Sequence, residues 1–351
     1  MVASRHPDFI EAAYSQGIYP AISAMFDFIF QIFPFSFAEI LLYVLIVALA
    51  GIILFYLIRF LFKRITAVKL VSLFLTLAII AGGALNAFYF IWGFHYARPK
   101  LQQLLGLDVT QREPQELVSL TVSLAAAANQ LREQVQEDAS GIFTLSVSPA
   151  EKFAAIPQAY AALGREIPLF SHKAHTPKPV LASEWMSWAG ISGIFIPFTG
   201  EANVNVHQPH LLIPVSAAHE AAHGQGIARE NEANFVGYLA CMASNDAELQ
   251  YSAVILALIN CGNQVYAWDK QTYTEIFQTY SEKVKRDLSA YNAYWKAYEG
   301  PVEEMMTQVN DSYLKHNQQQ SGVKSYGEMV DLLLAWYAKQ AEIEDQSALV
   351  E

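Results

Sequence analysis

The chain is 351 residues long, 53% hydrophobic and only 16% charged, with a formal net charge of -11. That length holds one large domain or two smaller ones, and an acidic balance with no basic cluster outside one short loop argues against nucleic acid as a partner. Two cysteines, Cys241 and Cys261, with no Cys-x-x-Cys pair, exclude a structural zinc knuckle.

Residues 1–36 do not read as a secretory signal, because no early apolar run follows a basic start. Ala21 to Phe35 is aromatic-rich but interrupted by Asp27 and Pro34, which suits an amphipathic segment lying in a membrane interface. Residues 37–97 read as a two-helix transmembrane hairpin. Ile40 to Ile58 and Leu70 to Phe94 are uncharged and long enough to span hydrocarbon as helices. Arg59, Lys63, Arg64 and Lys69 lie between them without an acidic residue, and the positive-inside rule puts such a loop in the cytoplasm. Both flanks then project outward, and a further span upstream of residue 1 is expected. Tyr43, Tyr56, Tyr89, Trp92 and Tyr96 supply interfacial aromatics. A buried soluble hairpin is the competing reading, disfavoured by two such runs around a basic turn.

Residues 98–351 are expected to form a mostly helical extracytoplasmic domain. Glu113 to Gln136 has helical spacing, with Leu117, Leu120, Leu124 and Leu131 on its apolar positions. Ser148-Pro149-Ala-Glu151 starts another helix towards Leu163. Pro168 to Pro179 is a loop whose His172 and His175 are expected to be solvated. Gly190 to Asn205 predicts one or two strands leading into the next helix. His207 and His210 lie on that approach; either could steady a reaction intermediate, and a surface loop role is favoured. Beyond Phe235 the helical pattern runs through Met242, breaks near Ser244 to Asp246, and resumes from Tyr251 to Cys261. Tyr266 to Ala341 reads as helical, with a break at Gly300-Pro301 and a turn at Gln318 to Gly322. An outward domain permits a Cys241–Cys261 disulfide, but both are expected as small apolar groups inside helices.

His219-Glu220-Ala-Ala-His223 is the pentapeptide H-E-x-x-H, in a segment from Leu211 to Ile227 that carries no other charge. Two histidines four apart share one helical face and reach a single cation, and the glutamate beside the first serves as general base on a metal-activated water. Pro214 suits the first helical turn, and Gly224 and Gly226 suit its end. A core helix with incidental histidines is the alternative. Zinc needs a third protein ligand and leaves a fourth position for water. Downstream, Glu230, Ala233 and Asn234 share one face of a second helix while Glu232 points nearly opposite, so Glu230 is favoured over Glu232 as that ligand.

Glu230-x-x-Ala233-Asn234 resembles the E-x-x-x-D glutamate helix of gluzincin metallopeptidases, whose first Glu is the third ligand, and the E-x-x-A-N form of some short bacterial members. The resemblance implies that Asn234 supports a ligand histidine. Asn replaces the usual Asp, and Gln225 stands where zincins carry an apolar residue. It also implies that a strand just before the metal helix pairs with substrate backbone.

The whole chain resembles a bacterial membrane family, domain of unknown function 3810, regarded as a zinc peptidase group. His6-Pro-Asp-Phe, Gly17-Ile-Tyr-Pro20, Pro34-Phe-Ser-Phe-Ala-Glu39, Thr199-Gly-Glu-Ala-Asn-Val-Asn205, Gly226-Ile-Ala-Arg-Glu230, Asn231-Glu-Ala-Asn-Phe235 and Ser325-Tyr-Gly-Glu-Met-Val-Asp-Leu332 carry it.

The expectation is therefore a mainly α protein with a small β element, two transmembrane helices followed by a zincin-like metallopeptidase domain. It would sit in the bacterial cell membrane with its soluble domain outside, use Zn2+, and hydrolyse a peptide or protein substrate. His219, His223 and Glu230 would hold the metal, with Glu220 as base. A non-enzymatic membrane sensor or scaffold with a structural metal is the alternative, completed by a fourth ligand such as His207 or His210. No motif fixes the substrate or the oligomeric state. A transporter is disfavoured by spans without internal charge, and proteolysis within the membrane by a motif more than a hundred residues past the second span.

Overall fold

The computed structural model describes residues 5–62, 66–110, 112–317, 319, 321–322 and 328–348. It is mainly helical with a small sheet. The chain opens as one helical rod: α1 (Pro7–Phe9), a π-helical stretch (Ile10–Ile18) and α2 (Tyr19–Phe30). Pro20 lacks an N–H and its ring crowds the carbonyl one turn back, which the wider π turn relieves. Ile10, Tyr14 and Tyr19 pack with Trp92, Tyr96 and Phe195 into a small apolar cluster apart from the main core. On α2, Phe26 is buried while Met25 and Phe28 are exposed, the amphipathic character expected of that segment.

Two long helices follow, α3 (Phe37–Leu61) and α4 (Ala67–Ile91), each of 25 residues. Twenty-five residues span about 37 Å, more than the roughly 30 Å of bilayer hydrocarbon. Their most apolar windows have mean hydropathies of 2.9 and 2.1, and none of either window is buried against the protein. A core hairpin would bury at least one stripe. The apolar windows of both helices are unburied, which is compatible with membrane anchoring. Of the four basic residues between the spans, Arg59 falls in the last turn of α3 and Lys69 in the first turn of α4, while Lys63 and Arg64 lie outside the described residues.

The ends of the hairpin remote from that loop are fastened to the rest of the chain. At the start of α3, the Glu201 carboxylate accepts the Phe37 and Ala38 N–H groups at 3.0 and 2.7 Å. Glu39 in turn accepts the Leu181 and Ala182 N–H groups, both at 2.8 Å. A short 3-10 turn (Gly93–Ala97) leads from α4 towards α5 (Leu101–Leu104).

The next helix, α6 (Pro114–Arg132), stops four residues short of the predicted Gln136. Arg132 is fully buried and its guanidinium reaches Asp287 at 2.6 Å and the Gly141 carbonyl at 3.0 Å, so the chain turns back to meet them. At the expected helix start, Ser148 and Glu151 form a capping box on α7 (Pro149–Lys152), which runs through one 3-10 turn into α8 (Ile156–Glu166). After β1 (Lys178–Pro179) and α9 (Ser183–Trp188), the predicted strand region forms a hairpin, β2 (Gly193–Ile196) and β3 (Glu201–Val204). The sheet order is β1-β3-β2, with β1 parallel and β2 antiparallel to β3. The strand just before α10, β3, is thus central, and β1 and β2 are the two edges.

The motif lies on α10 (Ile213–Gly224), and α11 (Glu230–Met242) and α12 (Ala247–Trp268) pack against it. Small residues let them approach closely: a Cβ added at Gly237 of α11 would lie 2.9 Å from the His219 backbone nitrogen. The remaining helices are α13 (Lys270–Gln278), α14 (Glu282–Tyr298), α15 (Pro301–His316) and α16 (Met329–Ala348). The predicted helical run from Tyr266 thus breaks at Asp269 and Ser281 as well as at Gly300, because both side chains accept backbone N–H groups of the next helix as N-caps. In the predicted turn at 318–322, Gln318 and Gln320 fall outside the described residues, as do 323–327. Cys241 and Cys261 are free and buried, small apolar groups as expected.

Candidate metal centre

α10 is a regular helix through the motif, so His219 and His223 stack one turn apart, with ring centroids 4.8 Å apart and planes nearly perpendicular at 88°. Gly226 then reverses the chain at a φ of 79°, where any Cβ would strike the His95 ring at 2.5 Å. This turn brings Glu230, the first residue of α11, back over both rings. Its Oε2 lies 3.1 Å from His219 Nε2 and 3.5 Å from His223 Nε2. The three donor atoms all lie within 4.8 Å of one another, and all three residues are buried.

The outer ring nitrogens fix which lone pairs face inward. His219 Nδ1 lies 2.7 Å from Asn234 Oδ1, and His223 Nδ1 lies 2.7 Å from the Ile227 carbonyl. Each partner is an acceptor, so each Nδ1 carries a hydrogen and each Nε2 is the nitrogen turned towards Glu230. The two Nε2 atoms are only 3.1 Å apart. Two lone pairs and a carboxylate converging so closely repel one another unless a positive charge sits among them. Two imidazole nitrogens and one carboxylate oxygen form a fitting donor set for zinc, with one tetrahedral position open.

Glu220 points from the same helix onto the sheet. Its carboxylate is buried beneath β2, so close that a Cβ on Gly193 would meet Oε1 at 2.6 Å, and it takes a backbone hydrogen bond from Phe195. Burial raises its pKa above the ordinary carboxylate value; the two histidines pull it down and Glu230 pushes it up. A base shifted towards neutrality is suited to taking and returning a proton. The Asn205 N–H donates to the Ser192 carbonyl at 3.0 Å. By antiparallel alternation, the peptide groups of Gly193 and Phe195 then face outward from β3, on the side where Glu220 lies.

A family model described as Protein of unknown function (DUF3810) matches residues 14–334. The chain belongs to the DUF3810 family. No curated protein and no solved structure matches it.

Within this DUF3810 chain the two downstream glutamates separate cleanly. Glu230 joins the histidines, whereas Glu232 accepts the Leu101 N–H at 2.8 Å and pairs with Arg229 at 3.4 Å. The other sequence candidates are engaged elsewhere. His207 meets the Tyr294 hydroxyl at 2.7 Å, His210 meets Thr144 at 2.9 Å, and His172 meets Gln16 at 3.0 Å. His175, expected in a solvated loop, is instead buried between Ser23 and the Gly200 carbonyl. Among the described residues, the donor cluster has three members.

Several neighbours of the DUF3810 centre carry no signal in the sequence. The indole of Trp92, at the end of α4, donates to the His223 carbonyl at 2.8 Å and sets its edge against the His223 ring. Tyr19 donates to the Gly224 carbonyl at 2.9 Å, and Arg98 to the Gly226 carbonyl at 2.8 Å. The His223 and Gly224 carbonyls lie in the last turn of α10 and Gly226 in the turn that follows, so the end of this helix is held by residues flanking α3 and α4. Tyr313 stands near enough to Glu230 for that charge to add to the effect of burial in raising its phenol, against an opposing hydrogen bond from Tyr96. Trp92 and His223 are 131 residues apart, a pairing that no local pattern announces.

Two outcomes follow for the DUF3810 centre. Removing the Asn234 acceptor by Asn234→Ala should lower zinc affinity about 10- to 100-fold by freeing the His219 ring, read by competition with a chromophoric chelator. In the metal-free protein, burial works against a charged His223, but Glu230 and Glu220 overcome it and lift its pKa from 6.5 to about 9. A raised histidine pKa stabilises the fold fully below about 6.5, and that stability is lost as pH rises through about 9. Glu230 titrates far below this window, because the histidines outweigh its burial. The melting temperature of the metal-free chain should therefore fall from pH 6.5 to 9, while apparent zinc affinity climbs up to about tenfold per pH unit as the competing proton leaves.

Proposed function

We propose that the chain is a membrane-anchored zinc-dependent metallopeptidase. The observation that carries this is the convergence of His219 Nε2, His223 Nε2 and Glu230 Oε2, beside a raised-pKa Glu220 that faces the outer edge of β2. Bound there, zinc would act as a Lewis acid and lower the pKa of a water in its open position towards neutrality. Glu220 is placed to take a proton from water and to return it to the leaving amine. Asn234 and the Ile227 carbonyl hold the imidazoles in the ligating tautomer. The outward Gly193 peptide and Phe195 carbonyl accept an extended substrate backbone as an added strand, aligning the scissile bond over Glu220. The basic loop between α3 and α4 is assigned to the cytoplasm, with the centre on the opposite side.

The test uses the full chain in detergent, loaded with zinc and incubated with a degenerate peptide library. One zinc per chain with cleavage that a chelator stops and zinc restores supports the assignment. A folded, zinc-loaded chain that cleaves nothing favours a structural metal and overturns it.

A further inference from the structure

Resting on the peptidase assignment, we propose that the substrates are polypeptides tethered in the same bilayer, cut within the first few residues outside the hydrocarbon. Sequence distance points the other way, since the H-E-x-x-H motif begins well over a hundred residues beyond α4. Tertiary contacts cancel that separation. Trp92 is the residue that ends α4, and its indole both binds the His223 carbonyl at 2.8 Å and packs with its ring centroid 6.0 Å from that of the ligand histidine. The donor cluster therefore lies about one side chain from the end of a span.

The other span is fastened to the substrate-binding side. Glu201 of β3 caps the first turn of α3, and β3 pairs directly with β2, whose outer edge faces Glu220. Lys178 of β1 binds both Glu201 and the Phe30 carbonyl at the end of α2, each at 2.6 Å. The sheet, the end of α2 and the start of α3 thus meet at one level, immediately before the apolar run from Ile40.

Large apolar side chains stand exposed at that level. Leu181, whose N–H is held by Glu39 of α3, is 75% exposed, and Trp185 one turn further is 77% exposed. Phe28 and Ile32 are 83% and 72% exposed. A face this apolar, adjoining two spans, matches an aromatic and aliphatic belt seated in the headgroup region. It brings the centre down onto the membrane surface. An extended chain covers about 3.3–3.6 Å per residue, so a tethered segment of six residues reaches roughly 20 Å from the hydrocarbon.

The experiment reconstitutes the full chain with zinc in liposomes. The reporters are a synthetic leucine-alanine transmembrane helix followed by a degenerate cleavable segment, placed either 6 or 30 residues from the helix. The same segment free in solution is the third substrate. Tethering alone concentrates both membrane reporters equally, so the spacing isolates the geometry. Cleavage at least tenfold faster at 6 than at 30 residues is expected. A Leu181→Ser, Trp185→Ser chain should narrow that ratio with zinc content unchanged. Equal rates at both spacings, or a free segment cut as fast as the near reporter, overturn the proposal and leave the peptidase assignment standing. A zinc-loaded chain that cuts none of the three overturns both.

Discussion

A Glu220→Gln chain is expected to keep its zinc and lose hydrolysis by about a hundred- to ten-thousand-fold, the usual contribution of a positioned general base. Glutamine has nearly the same volume, and Glu220 is not among the three donors, so the cluster stays assembled. The amide no longer takes a proton from water or passes one to the amine. It also removes a buried negative charge beside the histidines, one of the causes that raise His223. Zinc content by elemental analysis and peptide cleavage should therefore separate: metal unchanged, turnover gone. Retained turnover in this variant would remove Glu220 from its role.

The second large effect distinguishes two glutamates that a reader of the sequence sees side by side. Glu230→Ala deletes one of three donors. Apparent zinc-site energies of about 10–16 kcal/mol, shared among the three donors, put the loss at roughly three-hundred- to eight-thousand-fold in affinity. Glu232→Ala leaves the donors untouched. It strips the acceptor from the Leu101 N–H and the partner from Arg229, costing about 1–3 kcal/mol of stability through the orphaned groups. Chelator competition should show the first defect and thermal melting the second. The reverse pattern would reassign the third ligand.

Why one carboxylate was separable from the other in advance is plain from helix geometry. Residues 230, 233 and 234 share a face at 3.6 residues per turn, and the structure does put Glu230 and Asn234 around His219. The same local rules foresaw the helix start at Ser148, the long apolar helices and the break at Gly300-Pro301. They failed where a distant partner set the outcome. α6 ends early because Arg132 must reach Asp287, and His175 is buried because Ser23 and Gly200 close over it. The strand just before α10 proved to be central, since β1 and β2 flank β3 on either side.

Periodicity and spacing were enough to establish two apolar helices, a mainly helical body and a helical H-E-x-x-H segment with Glu230 on the matching face of the next helix. Those features depend on neighbours within one or two helical turns. That Glu230 folds back onto both imidazoles, that Glu220 lies beneath a sheet edge, and that Trp92 joins the end of α4 to His223 depended on close approaches across up to 131 residues. Such contacts arise when buried surfaces and unpaired backbone groups find partners in three dimensions, and no short stretch of chain encodes them.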